Sequence, residues 1–296
     1  MPTLAPRAVF VTRETDYELL LARHATLEQA RFYLQTRGQS LATLETRHQR
    51  FGEVIAAARA AVPADWRQAL VRRADLDRFL FTAEDIVVPV GQDGLVPNVA
   101  KYLAGQPVIG INPAPDLYDG VLVRHRVDEL AAMLPHVWHG DADIEHRTMV
   151  EGLLDTGERL SALNELFIGH RSHQSARYHI EDGAAKEEQS SSGVIVATGT
   201  GATGWARSIM EATSRDISLD PQERALGWFV REPFPSVATG SSMRAGKLAE
   251  QPLRLTSHMN DGGVIFADGI EQDFLSFDWG RRLEVTVGAN SLSMVL

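Results

Sequence analysis

Cysteine is absent from this 296-residue chain. That excludes disulfides, thiolate metal sites and cysteine nucleophiles, and it fits a reducing compartment. Positive charge is also short: Lys+Arg 29 against Asp+Glu 39 leaves a formal net charge of −10. The chain therefore lacks the electrostatic footprint of a nucleic-acid binder or of a protein that docks on anionic membranes. Any bound polyphosphate needs local donors, because the global field repels it. Long apolar runs are missing, and no stretch approaches the roughly 20 residues needed to cross a bilayer. The N-terminal MPTLAPRAVFVTRETDYE meets Asp16 and Glu18 early and reads as neither a signal nor a transit peptide, so a cytoplasmic location is expected. What is present, 44% hydrophobic and 23% charged residues, is enough to build a sizeable core, and the length suits two modest domains or one large one.

Ala8–Thr12 (AVFVT) reads as a first strand, followed by two helical stretches. In the second of these Phe51, Val54, Ile55 and Ala58 share one helical face. Gln68–Arg72 is a further short strand. Asp85–Val90, the Gly91–Gly94 turn, a helical segment near Val96–Leu103 and Pro107–Ile111 form a strand, turn, helix and strand, the pattern of a βαβ unit with a parallel sheet. Pro89 weakens the strand that contains it. After Pro113 and Pro115 the segments shorten and alternate: Ser161–Ile168, Ser175–Ile180, Gly193–Ala197, Leu253–Ser257, Val264–Ala267 and Leu283–Val287, with one helix near Trp205–Ala212 and a polar loop at Gln189–Ser192. The expectation is an α/β domain over 1–122 and a β-rich domain over 123–296.

VVPV-GQDG-LVPNVAKYL puts two glycines and a carboxylate on a turn from strand to helix. Glycine lets backbone approach a ligand, and a helix start presents free N–H groups, which suits phosphate. Asp93 should repel a phosphate unless it takes a proton from an attacking hydroxyl or holds Mg²⁺. The plainer alternative makes Asp93 a helix cap.

SSGVIVATGTGATGWARSIM is richer. Strand Val194–Ala197 enters Thr198-Gly199-Thr200-Gly201-Ala202-Thr203-Gly204 before a helix, a collar of backbone N–H and hydroxyl donors for phosphate or ribose oxygens. The same glycines spell GxGxxG, but the acid expected some 20 residues on is late, at Glu232, so a dinucleotide dehydrogenase is a minority reading.

Asn164-Glu165 offers an amide and a carboxylate able to read ribose hydroxyls and an adenine edge, or simply a solvated strand end. Asp268-Gly269 reads as a hairpin turn. His136, His139 and His146, and His170, His173 and His179, cluster without an HExxH, and no metal ligand is assigned. Gly240-SSMRA-Gly246-Lys247-Leu248 departs from a Walker loop in spacing and in Leu248. Arg231, Arg244 and Lys247 remain candidate phosphate partners.

In order and spacing these segments resemble the NAD kinase family, and more closely its mitochondrial-type branch. Gly91-Gln92-Asp93-Gly94-Leu95 resembles the family's Gly-Gly-Asp-Gly-Thr, with Gln92 in place of a glycine and Leu95 in place of a threonine. Asn164-Glu165 matches its Asn-Glu motif. TGTGATGW, Thr198 to Trp205, is similar to the mitochondrial-type loop, with Gly199 and Trp205 where the common branch has Pro and Tyr. Ser192-Gly193, VFVTRETDYE, PVIGINPAP and FVREP also resemble that branch.

The resemblance implies an α/β N-terminal domain with a parallel sheet, a β-rich C-terminal domain and a nucleotide cleft between them. It implies ATP-dependent phosphorylation of the adenosine ribose 2′-hydroxyl of NAD, with Mg²⁺ accompanying ATP, in a homodimer or homotetramer. By position, Asp93 would be the base at that hydroxyl, flanked by Gly91 and Gly94, and replacing it with Asn should stop turnover while leaving the fold nearly intact. Asn164 and Glu165 would hold the NAD adenosine. Thr198, Gly199, Thr200, Gly201, Thr203 and Gly204 would line the nucleotide site, with Asp268 at the family's late Asp-Gly. The rival expectations are a lipid or sugar kinase sharing the glycine-aspartate turn, and a nucleotide-binding regulator without turnover.

Overall fold

The computed structural model describes residues 5–296; Met1–Leu4, the start of the stretch read for targeting signals, lie outside the described residues. Two compact units emerge, Met1–Ile144 with Ser293–Leu296, and Glu145–Leu292.

In the first unit β1 (Arg7–Thr12) leads into three helices, α1 (Asp16–Arg23), α2 (Leu27–Gln35) and α3 (Leu41–Ala60), one more than the sequence suggests. Thr15 and Glu18 form a reciprocal capping box that starts α1. Then come β2 (Arg67–Arg72), β3 (Asp85–Pro89), α4 (Leu95–Ala100), β4 (Pro107–Val108) and α5 (Leu130–His139). The strands lie in the order β2-β1-β3-β4 and pair in parallel, the arrangement that a strand–helix–strand crossover requires. Pro89 closes β3 without harm, because its carbonyl still accepts from Ile111 N. Ala8, Phe10, Ile86 and Val88 alternate toward one face, where Ala58 from α3 and Leu130, Leu134 and Val137 from α5 bury them. Phe51, Val54 and Ile55 pack against that core, as their helical spacing implies. Composition put the division at 122/123; the compact units divide at 144/145, because α5 commits its apolar face to the first core.

The second unit runs through β5 (Ile144–Leu154), β6 (Arg159–Ala162), β7 (Glu165–His170), β8 (Ala176–Asp182), β9 (Ala185–Ser191), β10 (Val194–Ala197), α6 (Trp205–Thr213), β11 (Leu226–Val230), β12 (Ala245–Leu248), β13 (Leu253–Ser257), β14 (Gly263–Ala267), β15 (Phe274–Ser276) and β16 (Arg282–Val295). The last residues of β16 pair with β4 in the first unit's sheet. Six strands form an antiparallel sheet in the order β12-β11-β10-β7-β14-β15. Opposite it, β16, β13, β8 and β9 pair antiparallel. Along β10, Val194 and Val196 enter the core shared by the two sheets, while Ile195 and Ala197 turn to the other face, which α6 covers with Ile209 and Met210. The expected strand Ser161–Ile168 is two strands broken at Leu163-Asn164, and Gln189–Ser191 is the end of β9 rather than a loop. No helix among the described residues is long and apolar enough to cross a membrane.

Candidate functional site

The first-unit corner follows β3. Asp93 does not cap α4; its carboxylate reaches across to a loop. Oδ1 accepts from Leu122 N at 2.7 Å and Val123 N at 3.1 Å, and Oδ2 accepts from Val121 N at 3.0 Å. A carboxylate has about four in-plane acceptor positions, so one remains, on Oδ2. In the same turn the backbone N–H groups of Gln92, Asp93 and Gly94 donate to nothing among the described residues. At Gly91 a Cβ would come 3.1 Å from Leu95 Cδ2, so the buried leucine would have to give by a few tenths of an ångström. Gly94 is different. Its φ is −62° and nothing among the described residues stands where a Cβ would go, so none of their contacts demands a glycine at that position.

The second-unit corner gathers three sequence-distant motifs. Asp268 accepts backbone N–H bonds from Leu163 at 3.0 Å, Asn164 at 2.7 Å and Glu165 at 3.3 Å, and its own N–H donates to the Glu165 carbonyl. Thr198 N donates to the Asn164 carbonyl at 2.9 Å. Gly201 lies flat on Asn164, and any Cβ would collide with its backbone; Gly199 is held the same way against Asp220. The structure thus brings Asn164, Glu165, the 198–204 loop and Asp268 together, and it fixes their backbone while leaving two side chains unspent. The amide of Asn164 and the carboxyl of Glu165 make no hydrogen bond among the described residues. Burial, then the nearby Asp268 charge, pushes the Glu165 carboxyl up to about 7. At neutral pH it is both a donor and an acceptor, which suits a hydroxyl or a base edge.

The threonines serve the loop more than a ligand. Thr198 is fully buried; its hydroxyl donates to Leu163 O at 2.5 Å and accepts from Thr200 N and Gly201 N, so the donor expected for a nucleotide is already used. Thr203 Oγ1 donates to Thr200 O. Thr200 Oγ1 accepts from Arg147 at 3.4 Å.

No family model matches the chain. It is 31% identical over 127 residues to an NAD kinase of Chlorobaculum tepidum, covering 42% of this chain and 44% of that protein. To an NAD kinase of Wolinella succinogenes it is 28% identical over 232 residues, 73% of this chain and 72% of that one. The chain thus spans less than half the length of the first relative. Among solved structures, an NAD kinase from Archaeoglobus fulgidus in complex with ATP superposes with a TM-score of 0.59 at 16% identity, covering 98% of this chain and 93% of that one. Yeast NADH kinase complexed with NADH gives 0.60 at 17%, covering 99% and 84%. The chain is NAD kinase-like in sequence and in fold.

An NAD kinase-like fold disposes of the dehydrogenase reading, because the Gly199–Gly204 turn leaves a strand paired antiparallel on both sides instead of a parallel βαβ unit. Asp268-Gly269 is a turn as expected, both residues at positive φ (51° and 70°), but the loop is longer than a two-residue hairpin and its carboxylate organises the Asn-Glu segment. Lys247 is tied to Glu223 and Ser218 O, and Arg244 to Ser241 O. Arg231 lies 5.1 Å above the Trp205 ring, at a cavity of about 490 Å³ walled by Phe167, Trp205 and Phe266. Among the described residues no group of three or more His, Asp or Glu could hold a metal. Sequence reasoning missed Arg147, which is buried, paired with Glu145 at 3.2 Å and donates to Thr200 Oγ1 at 3.4 Å, its Nε without a partner among the described residues. It sits on a strand whose polar alternation looks like a solvated face, so only the unusual burial reveals it.

Proposed function

We propose that the chain is an ATP-dependent NAD kinase, transferring the γ-phosphoryl group to the adenosine ribose 2′-hydroxyl of NAD to give NADP. The observation that carries this is the single acceptor position left on Asp93 in a turn whose backbone N–H groups of Gln92, Asp93 and Gly94 are unengaged among the described residues. A hydroxyl can donate there while phosphate oxygens receive the N–H donors. The 2′-oxygen attacks the γ-phosphorus, the bond to the β,γ-bridging oxygen breaks, and the hydroxyl proton passes to Asp93. Such transfers depend mainly on positioning and charge neutralisation, and a base supplies roughly 10²–10⁴-fold. Mg²⁺ would accompany ATP and would supply charge neutralisation at the phosphates.

Asn164 and Glu165 hold the adenosine, and the 198–204 loop, with Gly204, Thr200 and Thr203, shapes the wall behind it; Thr198, Gly199 and Gly201 set that wall's position. Gly199, Trp205 and Ser192-Gly193 favour the mitochondrial-type branch, and we assign a cytoplasmic homodimer or homotetramer. Unspent amide and carboxyl groups suit ribose hydroxyls better than a lipid acceptor. Purified protein with NAD, ATP and Mg²⁺, assayed for NADP, tests the proposal. Binding without NADP would leave a silent nucleotide binder in its place.

A further inference from the structure

A cavity of about 570 Å³ in the second unit shares no residue with either corner. Its floor follows from the pairing of β13, β8 and β9. Tyr178 and Ile180 of β8, and Leu253 and Leu255 of β13, enter the core, so Arg177 and His179 turn to the opposite face. Ser190 lies opposite Arg177 across the β8–β9 pair, and His258 N donates to Arg177 O just past the end of β13. His258, Arg177 and Ser190 therefore form one cross-strand row, about 10 Å long, along the cavity. An aromatic side chain stands at each end of the row. Trp279 stacks on the His258 ring at 5.0 Å, and Phe234 arrives beside Ser190, whose carbonyl accepts its N–H. Both rings are largely open to solvent, at 63% and 67% exposure. Both are also held in place. Gly240 N donates to Glu188 O and Thr239 Oγ1 to Phe234 O, which fixes the segment along the edge of β9, and Gly280 N donates to Ser257 O beside Trp279.

The charges along this row are unevenly spent. Glu188 commits both oxygens to imidazoles, Oε1 to His179 Nδ1 at 2.9 Å and Oε2 to His258 Nδ1 at 3.0 Å. The Arg177 guanidinium makes no hydrogen bond or ion pair among the described residues. Neither does the hydroxyl of Ser190, a residue only 9% exposed, nor the side-chain amide of Asn260 at the rim. A nine-tenths buried hydroxyl and an unneutralised guanidinium, side by side and without partners in the fold, are donors that lack an acceptor. One guanidinium balances one negative charge. A carboxylate meets that balance and the fork of arginine, whereas a phosphate dianion adds excess charge to a chain already at −10. The volume lies within the ~300–1,000 Å³ of cavities that hold drug-sized ligands. We infer that this trough is a second ligand site, taking a small aromatic carboxylate with its carboxylate on Arg177 and Ser190 and its ring against Trp279. Such a site stands whether or not the chain is a kinase.

The test is calorimetric titration of the full chain with 2-naphthoate and, separately, with 2-naphthamide, which share a ring and differ in charge. Naphthoate should bind saturably and at least about tenfold tighter than the amide, as a charge-assisted contact implies. Arg177→Gln should weaken naphthoate by roughly tenfold or more and leave naphthamide unchanged. Trp279→Ala should weaken both probes by roughly 3–10-fold, because the ring loses its stacking surface. Both positions are exposed, and thermal melts of the two variants check that they fold. Glu165→Gln should bind naphthoate as the wild type does, which separates the trough from the adenosine corner. Binding of adenosine monophosphate should not respond to Arg177→Gln; a loss as large as that of naphthoate would make the ligand a phosphate ester and overturn the carboxylate assignment. Absence of saturable naphthoate binding, equal affinity for the two naphthyl probes, unchanged affinity in both folded variants, or loss of naphthoate binding in Glu165→Gln overturns the site itself.

Discussion

Glu165→Gln isolates the one acid whose ionisation the structure sets near neutrality. Its carboxyl is shifted from 4.5 to about 7, first by burial and then by the charge of Asp268. The folded state therefore prefers the protonated form, while the unfolded chain ionises near 4.5. The stability that the neutral carboxyl contributes is present in full below the unfolded value and is lost as pH rises through about 7. The full shift corresponds to roughly 3 kcal/mol, at about 1.4 kcal/mol per pKa unit. Glutamine keeps the shape and never ionises, so its stability lacks this slope. Urea unfolding of both proteins at about pH 5 and about pH 8.5 should show the variant gaining on the wild type by roughly 2–3 kcal/mol toward alkaline pH. Parallel stability curves over that interval would refute the reasoning, because they would mean that Glu165 ionises in the folded protein as freely as in the unfolded chain.

Two glycine variants separate ligand demands from packing demands. Gly94→Ala, with ordinary φ and open space, should keep or raise stability by about 0.4–1 kcal/mol yet sharply reduce NADP formation, whereas Gly201→Ala, which collides with Asn164, should cost at least ~1–3 kcal/mol in a denaturant melt. Asp93→Asn should lower turnover by roughly 10²–10⁴-fold and, contrary to the sequence expectation of an untouched fold, cost about 1–3 kcal/mol, because an amide nitrogen replaces one of the oxygens that hold Val121–Val123. Arg7→Leu removes the guanidinium that grips Asp85 at 2.6 Å and should destabilise the first unit by about 3–5 kcal/mol at neutral pH. Burial opposes ionisation of Asp85, but bonds from Arg7 and Thr82 outweigh it and hold its carboxyl below the usual range, so the wild-type advantage should fade as pH falls through that depressed value.

Periodicity made the frame legible. The Phe51–Ala58 face carries helical spacing, while AVFVT and Val194–Ala197 are unbroken apolar runs that suit strands buried on both faces, and each is found where those patterns imply. The break at Leu163-Asn164 was not legible, because what ends β6 there is a carboxylate more than a hundred residues later that captures three successive backbone N–H groups. Thr198 misled for a related reason. A hydroxyl in a glycine-rich loop looks the same on paper whether it faces a ligand or a neighbouring carbonyl, and only its burial distinguishes the two. Arg147 was invisible because local pattern says nothing about a charged side chain that a distant loop covers.

The same device occurs once in each unit, and the contrast between the two copies argues for their different roles. Asp93 and Asp268 both stand beside a glycine, and both accept three backbone N–H bonds from one short run of residues. Three bonds to backbone fix a carboxylate's orientation far more firmly than a rotamer preference does, so the direction of any remaining lone pair is set by the fold itself. Asp268 uses its grip to present Asn164 and Glu165; its partner Gly269 is required by a positive φ of 70°. Gly94, beside Asp93, has no such conformational demand and no neighbour to avoid among the described residues. A glycine that neither φ nor packing explains, next to an oriented carboxylate and unspent N–H groups, is what close approach by a phosphate asks for, and this is why the proposal puts the reaction at Asp93 and gives Asp268 a structural part.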